Sequence, residues 1–323
     1  MKTRWQIDIV RSRPTDADLA RVGRLADTAR AADGHPPFSD QTMVTLRAGD
    51  TDGRTVLTLL AREATGQDCA AGDPAGAAVV VADGDGPPLL ELVVAPARRR
   101  RGAGSAVLRA AAELSGLLAD DVRAWSHGDH PAARVLAAQH GYRAVRELWR
   151  MSGPIEAVAP AGTPPPAPPV GIRLRSFRAG DETALLALNA AAFAHHPEQG
   201  TLSLPDLTDL MAQDWFDAAG LFLAERTADG VLLGFHWTKI DPAEPAEGEV
   251  YVVGVHPEAQ GLGLGRVVTA AGLEHLRRRR VRTVTLYVDA DNTAAVRLYT
   301  SMGFDRSDVD VMYAPAPPSS GSQ

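Results

Sequence analysis

Lysine is almost missing from this chain. Among its 323 residues only Lys2 and Lys239 are lysines, and every other formal positive charge on a side chain is an arginine. Cysteine is scarcer still. The single Cys69 excludes an internal disulfide framework and a cysteine-based zinc site, and fits a reducing compartment. An excess of positive charge is missing too. A formal net charge of −7 is a poor foundation for a general nucleic-acid binder, because non-specific binding rests on neutralising phosphates. No apolar run approaches the roughly 18–20 residues of a membrane span. The opening MKTRWQIDIVRSRP lacks the apolar segment of a secretory signal. These absences predict a cytoplasmic protein with neither a nucleic-acid nor a membrane partner.

What is present points to two folded halves. The length suits about two domains, and a hydrophobic fraction of 45% can fill two cores. The Pro/Ala stretch EAVAPAGTPPPAPPV at 156–170 reads as a stiff linker, because prolines at that density cannot sustain a helix. The expected division is a first domain over 1–155, the linker over 156–170, a second domain over 171–314 and a disordered tail over 315–323.

The halves repeat one another. LLELVVAPARRRRGAGSAVLRAAAEL in the first answers VYVVGVHPEAQGLGLGRVVTAAGLEHL in the second. Aligning Pro96 with Pro257 brings Arg99 onto Gln260, Gly102 onto Gly263 and Gly104 onto Gly265, an offset of 161. Downstream, WSHGDHPAARVLAAQHGY meets YVDADNTAAVRLYTSMGF, with Gly141 on Gly303 at an offset of 162. Two motif pairs at nearly one offset mark a tandem duplication. Apolar patterning in the second copy predicts a helix at ALLALNAAAF, strands at GLFLAER, LLGFHWTKI and EVYVVGV, a helix over 266–279, a strand at TVTLYVD and a helix at TAAVRLYTSM. That order predicts an α/β fold with a mixed, mostly antiparallel sheet flanked by helices in each half.

A strand, a glycine-rich turn and a helix N-terminus form an anion site, because turn amides and the helix dipole face the ligand together. The spacing does not match the dinucleotide motif G-x-G-x-x-G in an early βαβ unit, and the P-loop Gly-Lys-Ser/Thr is absent. The run Arg277–Arg280 closes a helix, where cations complement the dipole. The run Arg98–Arg101 precedes its helix, where cations are unfavourable unless an anion is present, so it is a candidate phosphate contact.

The pattern [R/Q]-x-x-G-x-[G/A] after a strand, followed downstream by NTAAVRLYxxxGF, resembles the coenzyme A loop and last helix of the GNAT N-acetyltransferase superfamily. The resemblance implies tandem GNAT domains, with acetyl-CoA as co-substrate and no metal. In the second half the cofactor would lie against Val253, Gly254, Val255, Gln260, Gly261, Leu262, Gly263, Leu264, Gly265 and Arg266. The last helix would add Asn292, Thr293, Ala294, Ala295, Val296 and Arg297. In the first half the counterparts are Leu92, Val93, Val94, Arg99, Arg100, Arg101, Gly102, Ala103, Gly104 and Ser105. In this superfamily the base often lies on the strand before the loop and the acid is often a tyrosine on the final helix, which here are Glu249 and Tyr299. Their aligned positions in the first half, Pro88 and Ala137, cannot titrate, so the second half is predicted to carry the catalysis.

Longer segments narrow the resemblance. AAFAHHPEQG, WFDAAGLFLAE, GFHWTKI, GEVYVVGVHPEAQGLGLGR and LYVDADNTAAVRLYTSMGF, with WSHGDHPAAR and RELWRM in the first half, are similar to the mycothiol synthase family. That resemblance implies a small-molecule thiol precursor, cysteinyl-glucosaminyl-inositol, as acetyl acceptor, and an enzyme that works as a monomer. It implies substrate contacts at Glu198, Lys239, Glu249 and Tyr287, and at Asp40, where the family pattern leads one to expect glutamate. His195 and His196 are read as pocket-shaping or helix-end residues rather than a metal pair, since no third ligand stands at suitable spacing. The rival readings are a tandem N-acetyltransferase for another small-molecule or protein amine, and a non-catalytic CoA-sensing protein.

Overall fold

A computed structural model describes residues 5–316, apart from 52, 65–71, 85, 115–120, 195–199 and 201. In chain order the first half contributes β1 (Trp5–Arg11), α1 (Asp16–Asp33), α2 (Asp40–Ala48), β2 (Arg54–Glu63), β3 (Gly76–Asp83) and β4 (Leu89–Val94). It continues with α3 (Ala103–Glu113), β5 (Arg123–Ser126), α4 (Pro131–Gln139), β6 (Tyr142–Pro154) and the short α5 (Ile155–Val158). The second half contributes β7 (Ile172–Ser176), α6 (Glu182–Ala192), α7 (Leu204–Met211), β8 (Leu221–Arg226), β9 (Leu232–Lys239) and β10 (Glu247–Val255). It closes with α8 (Leu264–Arg278), β11 (Thr283–Asp289), α9 (Thr293–Ser301) and β12 (Asp305–Pro315).

Local chemistry sets the helix ends. Thr15 caps α1 by accepting the Asp18 N–H, and Gly34 ends it in the left-handed region. Ser203 and Asp206 form a reciprocal capping box on α7, with Pro205 in its first turn. Asn292 caps α9 by accepting the Ala295 N–H at 3.1 Å.

The chain forms two compact units, Met1–Leu148 with Asp308–Gln323, and Trp149–Ser307. Unit 1 orders its strands β1-β2-β3-β4-β5-β12, antiparallel except for the parallel β4–β5 pair. In unit 2 the order is β7-β8-β9-β10-β11, again antiparallel except for the parallel β10–β11 pair. The Trp149–Pro154 part of β6 belongs to unit 2, where Met151 packs with Val284 and Leu286 of β11. Both sheets are mixed and mostly antiparallel, as the sequence pattern requires.

The division differs from the one read off composition. The units part at Leu148/Trp149 rather than at 155, and the last strand, β12, joins unit 1 from Asp308 onward. The reason is burial. Ile155, the last residue of the expected first domain, and Val158, in the expected linker, sit in the core of unit 2 with Leu273, Leu276 and Phe304. The tail from 317 onward lies outside the described residues.

Each sheet carries helices on both faces. In unit 2, α6 and α7 cover one face through Leu185, Leu188 and Leu207 against Phe235 and Trp237. On the other face α8 and α9 pack Leu273, Leu276 and Tyr299 against Val250, Val284 and Leu286. Among the described residues no helix is long and apolar enough to cross a membrane.

Candidate functional site

The site begins at an irregularity in β10. From Val255 back to Val252 its residues pair with Gly234–Trp237 of β9, and Val250 and Glu249 pair with Thr238 and Lys239. Tyr251 is the extra residue of a β-bulge. Parallel pairing with β11 runs from Glu247 to Val250 and stops there. Beyond the bulge, Val252–Val255 keep β9 on one side and, among the described residues, pair with no strand on the other.

The glycine-rich turn follows directly. Gly261 and Gly263 have φ of +80° and +76°, in the left-handed region that favours glycine, and α8 starts at Leu264. A side chain at either glycine would meet open space, so backbone conformation, not crowding, selects glycine there. Among the described residues the amides of Gly261, Gly263, Leu264 and Gly265 donate to no protein acceptor. Gly265 lies against Leu298 of α9 and Val255 of β10. Arg266 is tied to Ser301 Oγ at 2.9 Å. Arg297 and the first turn of α9, Asn292–Ala294, are exposed, while Ala295 and Val296 are half-buried.

Glu249 and Lys239 face each other across β9 and β10, with Lys239 Nζ 3.9 Å from the carboxylate. The ammonium also lies over the rings of Trp215, at 5.4 Å, and Tyr251, at 5.6 Å. Burial raises the Glu249 pKa above the ordinary carboxylate value, against the opposing pull of Lys239 and Arg150. Burial, with the Glu249 charge beside it, raises the Tyr251 phenol as well. Tyr299 lies on the other face of the sheet, 7% exposed and edge-on to Phe304. Burial pushes its phenol well above the usual value. Tyr287 is 51% exposed on β11, just past the point where that strand leaves β10.

Glu198, His195 and His196 lie outside the described residues. Asp40 opens α2 in unit 1, immediately after the cap Ser39, and nothing is described of its side chain.

Unit 1 repeats the turn with different contents. Arg100 and Gly102 take φ of +60° and +88°, the conformations of Gly261 and Gly263, and α3 begins at Ala103. Arg99 is held by both Asp33 oxygens at 2.5 and 2.7 Å, and Arg98 pairs with Glu63 at 2.7 Å. Arg100 and Arg101 are exposed. Leu92–Val94 precede this turn as Val253–Val255 precede the other, and Gly104 touches Leu92, Val94 and Leu136. Strand β4 has no bulge. Its register with β3 is unbroken from Val94 to Leu89, and its parallel pairing with β5 runs on to Glu91–Trp125.

The missing bulge corrects the alignment. Val81 pairs with Leu89 where Lys239 pairs with Glu249, so the structural counterpart of Glu249 is Leu89, one residue past the Pro88 expected from a constant offset. Ala137 keeps its place as the counterpart of Tyr299, seventh in α4 as Tyr299 is seventh in α9. A separate ionic cluster fills this end of unit 1. His127 lies 3.2 Å from Glu91 and 3.1 Å from Asp310 of β12. Sequence reasoning missed it because Asp310 comes from the far end of the chain.

A model of the acetyltransferase (GNAT) family matches residues 188–304. The chain is 46% identical to a mycothiol acetyltransferase of Arthrobacter sp. over 317 residues, covering 96% of each chain. It is 49% identical to one from Thermobispora bispora over 311 residues, covering 94% of this chain and 98% of that one. The chain belongs to the mycothiol acetyltransferase family. It is an acetyl-CoA-dependent N-acetyltransferase built from two GNAT folds. Among solved structures, a GCN5-related N-acetyltransferase from Sphaerobacter thermophilus superposes with a TM-score of 0.70 at 25% identity, covering 95% of both chains. A tandem GNAT protein of the clavulanic acid pathway gives 0.73 at 21% identity, covering 97% of this chain and all of that one, which speaks to the fold alone.

Proposed function

We propose that unit 2 transfers acetyl from acetyl-CoA to the cysteinyl α-amine of cysteinyl-glucosaminyl-inositol, giving mycothiol, with Glu249 as base and Tyr299 as acid. The observation that carries the assignment is the bulge at Tyr251. It ends the β10–β11 pairing between a half-buried carboxylate on one face and a buried phenol on the other.

The unpaired amides of Gly261, Gly263, Leu264 and Gly265 suit the pyrophosphate of coenzyme A, at the positive end of α8. The residues around them, from Gln260 to Arg266, and the first turns of α9, Asn292–Arg297, would line the rest of the nucleotide. The strand edge at Val253–Val255 offers backbone donors where the tetrahedral oxyanion develops. Bound there, acetyl-CoA supplies the activated thioester. Glu249 takes a proton from the acceptor amine. Free amine at pH 7 costs only about 1 kcal/mol, because an α-amino group has a pKa of ~7.7–8.0. The N–C bond forms, the C–S bond breaks, and Tyr299 gives its hydroxyl proton to the departing sulfur. Burial makes that full transfer less favourable, but it keeps the phenol protonated and available as donor across the working pH range. Lys239, Tyr287 and Glu198 are the candidate acceptor contacts, offering hydrogen-bonding groups to a polyhydroxylated amine. Unit 1 keeps the cradle at Arg99–Ser105 without base or acid, and is assigned no catalysis.

The test is an acetyl-CoA assay of the cysteinyl pseudodisaccharide against peptides and aminoglycosides. Preferential turnover of the pseudodisaccharide is expected, and its absence would sink the substrate assignment. Glu249→Gln is expected to lower kcat by about 10²–10⁴. Unchanged turnover would remove Glu249 as base.

A further inference from the structure

Unit 2 contains a cavity of about 140 Å³ lined by Leu185, Asn189, Leu202, Leu210, Phe235, Trp237, Tyr251 and Val252. Tyr251 ties it to the chemistry, since this bulge residue lies two positions from Glu249 on β10. The rings of Trp215, Trp237 and Tyr251 form one panel, with centroids 5.0–5.6 Å apart, and Lys239 rests against it. Trp237 is 2% exposed, yet its indole N–H has no acceptor among the described residues. A buried donor without a partner is unusual and marks a place where a ligand atom can supply one.

The cavity belongs to the acceptor's side of the sheet. Its lining comes from α6, α7 and the face of β9–β10 that they cover, whereas the glycine-rich turn leads into α8 on the face that holds Tyr299. A group reaching it would therefore hang from the amine beside Glu249, not from the acyl carrier. We propose that this cavity is the subsite for the thiol side chain of the acceptor, and that it selects a cysteinyl amine over otherwise identical amines. The inference rests on the acceptor assignment above.

The chemistry matches. The sulfur is three bonds from the amine nitrogen, so an amine held at Glu249 places it within reach of Tyr251. Sulfur is polarizable and favours aromatic edges, and a thiol is a weak hydrogen-bonding group that an apolar lining tolerates. The single unpaired indole N–H can donate to the sulfur. A hydroxyl in the same place costs more to desolvate than a thiol, in a lining that is apolar apart from Asn189, Tyr251 and the Trp237 N–H, which disfavours it. A methyl would leave most of the space unfilled. The volume resembles that of an engineered apolar cavity that admits benzene, so a CH₂–SH group enters without distortion.

The experiment compares kcat/KM for three acceptors that share the glucosaminyl-inositol and differ only in the aminoacyl side chain: cysteinyl, seryl and alanyl. The full-length protein is expected to favour cysteinyl over each of the others by about tenfold or more. Leu210→Phe, which fills the cavity, and Trp237→Phe, which removes the N–H and keeps a ring, are each expected to shrink that ratio to within about threefold. The loss should fall on the cysteinyl acceptor, chiefly in KM. Turnover of all three at equal efficiency by the unaltered protein would overturn the subsite alone, whether or not either variant folds. So would variants that keep the full ratio, or that change only the choice between acetyl- and propionyl-CoA. Failure to acetylate any of the three would overturn the acceptor assignment itself, and the subsite with it.

Discussion

Lys239 shows how one side chain can serve two neighbours. In a chain that uses arginine nearly everywhere, its compact ammonium lies between two aromatic rings and one carboxylate. Its electrostatic effect on Glu249 has a definite sign. Burial raises the carboxyl pKa and Lys239 lowers it, so removing the cation raises it further. A base works only when deprotonated, so the acid limb of kcat/KM against pH lies above the ordinary carboxylate range and falls as pH drops through it. Lys239→Met is expected to move the midpoint of that limb to higher pH, and Lys239→Arg to move it little. A limb that does not move in the methionine variant would show that Lys239 does not tune Glu249. The residue types were legible in the sequence, and so was the isolation of this lysine. The aromatic panel was not, because Trp215, Trp237 and Tyr251 come from three separate segments whose meeting depends on how α7 leads into β8.

At the scale of elements, the two copies share a turn and differ in one inserted residue. Glycine spacing revealed the turn, because positive φ leaves its mark on composition: Gly261 and Gly263 in one copy, Gly102 in the other. Arg100 at φ +60° hides the fourth such position behind a residue that rarely adopts it. The bulge left no such mark, and it displaced the alignment by one. The arginines Arg98 and Arg99 read as free phosphate ligands because Glu63 and Asp33, which hold them, lie 35 and 66 residues away. In unit 1 the end of β5 is fastened to β12 by the ionic cluster. His127 is pulled down by burial but raised more by its hydrogen bonds to Asp310 and Glu91, to about 10. Asp310 also accepts the Gly128 N–H at 3.0 Å, and Glu91 accepts the Ser39 N–H at 2.8 Å. A histidine whose folded pKa exceeds its unfolded value stabilises fully below about pH 6.5, and the contribution drains away as pH climbs toward 10. Hydrogen exchange at β5 and β12 is therefore expected to speed up between pH 7 and pH 10 beyond the intrinsic chemical rate. His127→Gln should abolish that extra dependence and cost roughly 3–5 kcal/mol at pH 7, as breaking a buried ion pair does. A flat protection profile in the unaltered protein would show that the cluster does not hold the strand.

For the molecule as a whole, duplication was legible and the completion of each unit was not. Composition marks 156–170 as a linker, and a designer of fragments would cut there. The structure argues for a different cut. Unit 2 takes Met151, Ile155 and Val158 into its main core, and all three precede residue 171. They are 2%, 5% and 5% exposed, so a fragment starting at 171 leaves a cavity where they pack. Truncating one large buried aliphatic side chain costs about 2–5 kcal/mol. Losing three residues of this kind removes on the order of 6–15 kcal/mol, comparable to the 5–15 kcal/mol that stabilises an ordinary domain. The same fragment carries β12, whose residues from Asp308 onward belong to unit 1 and would be left as an unpaired strand. Residues 171–323 are therefore expected to give a broad, non-cooperative thermal transition and to aggregate. Residues 149–307, which end where unit 2 ends, are expected to melt cooperatively and to retain coenzyme A binding through the Gly261–Gly265 turn. Circular dichroism with calorimetric titration of coenzyme A separates the two. A cooperative, ligand-binding 171–323 fragment would show that the segment before the prolines contributes no essential part of this core.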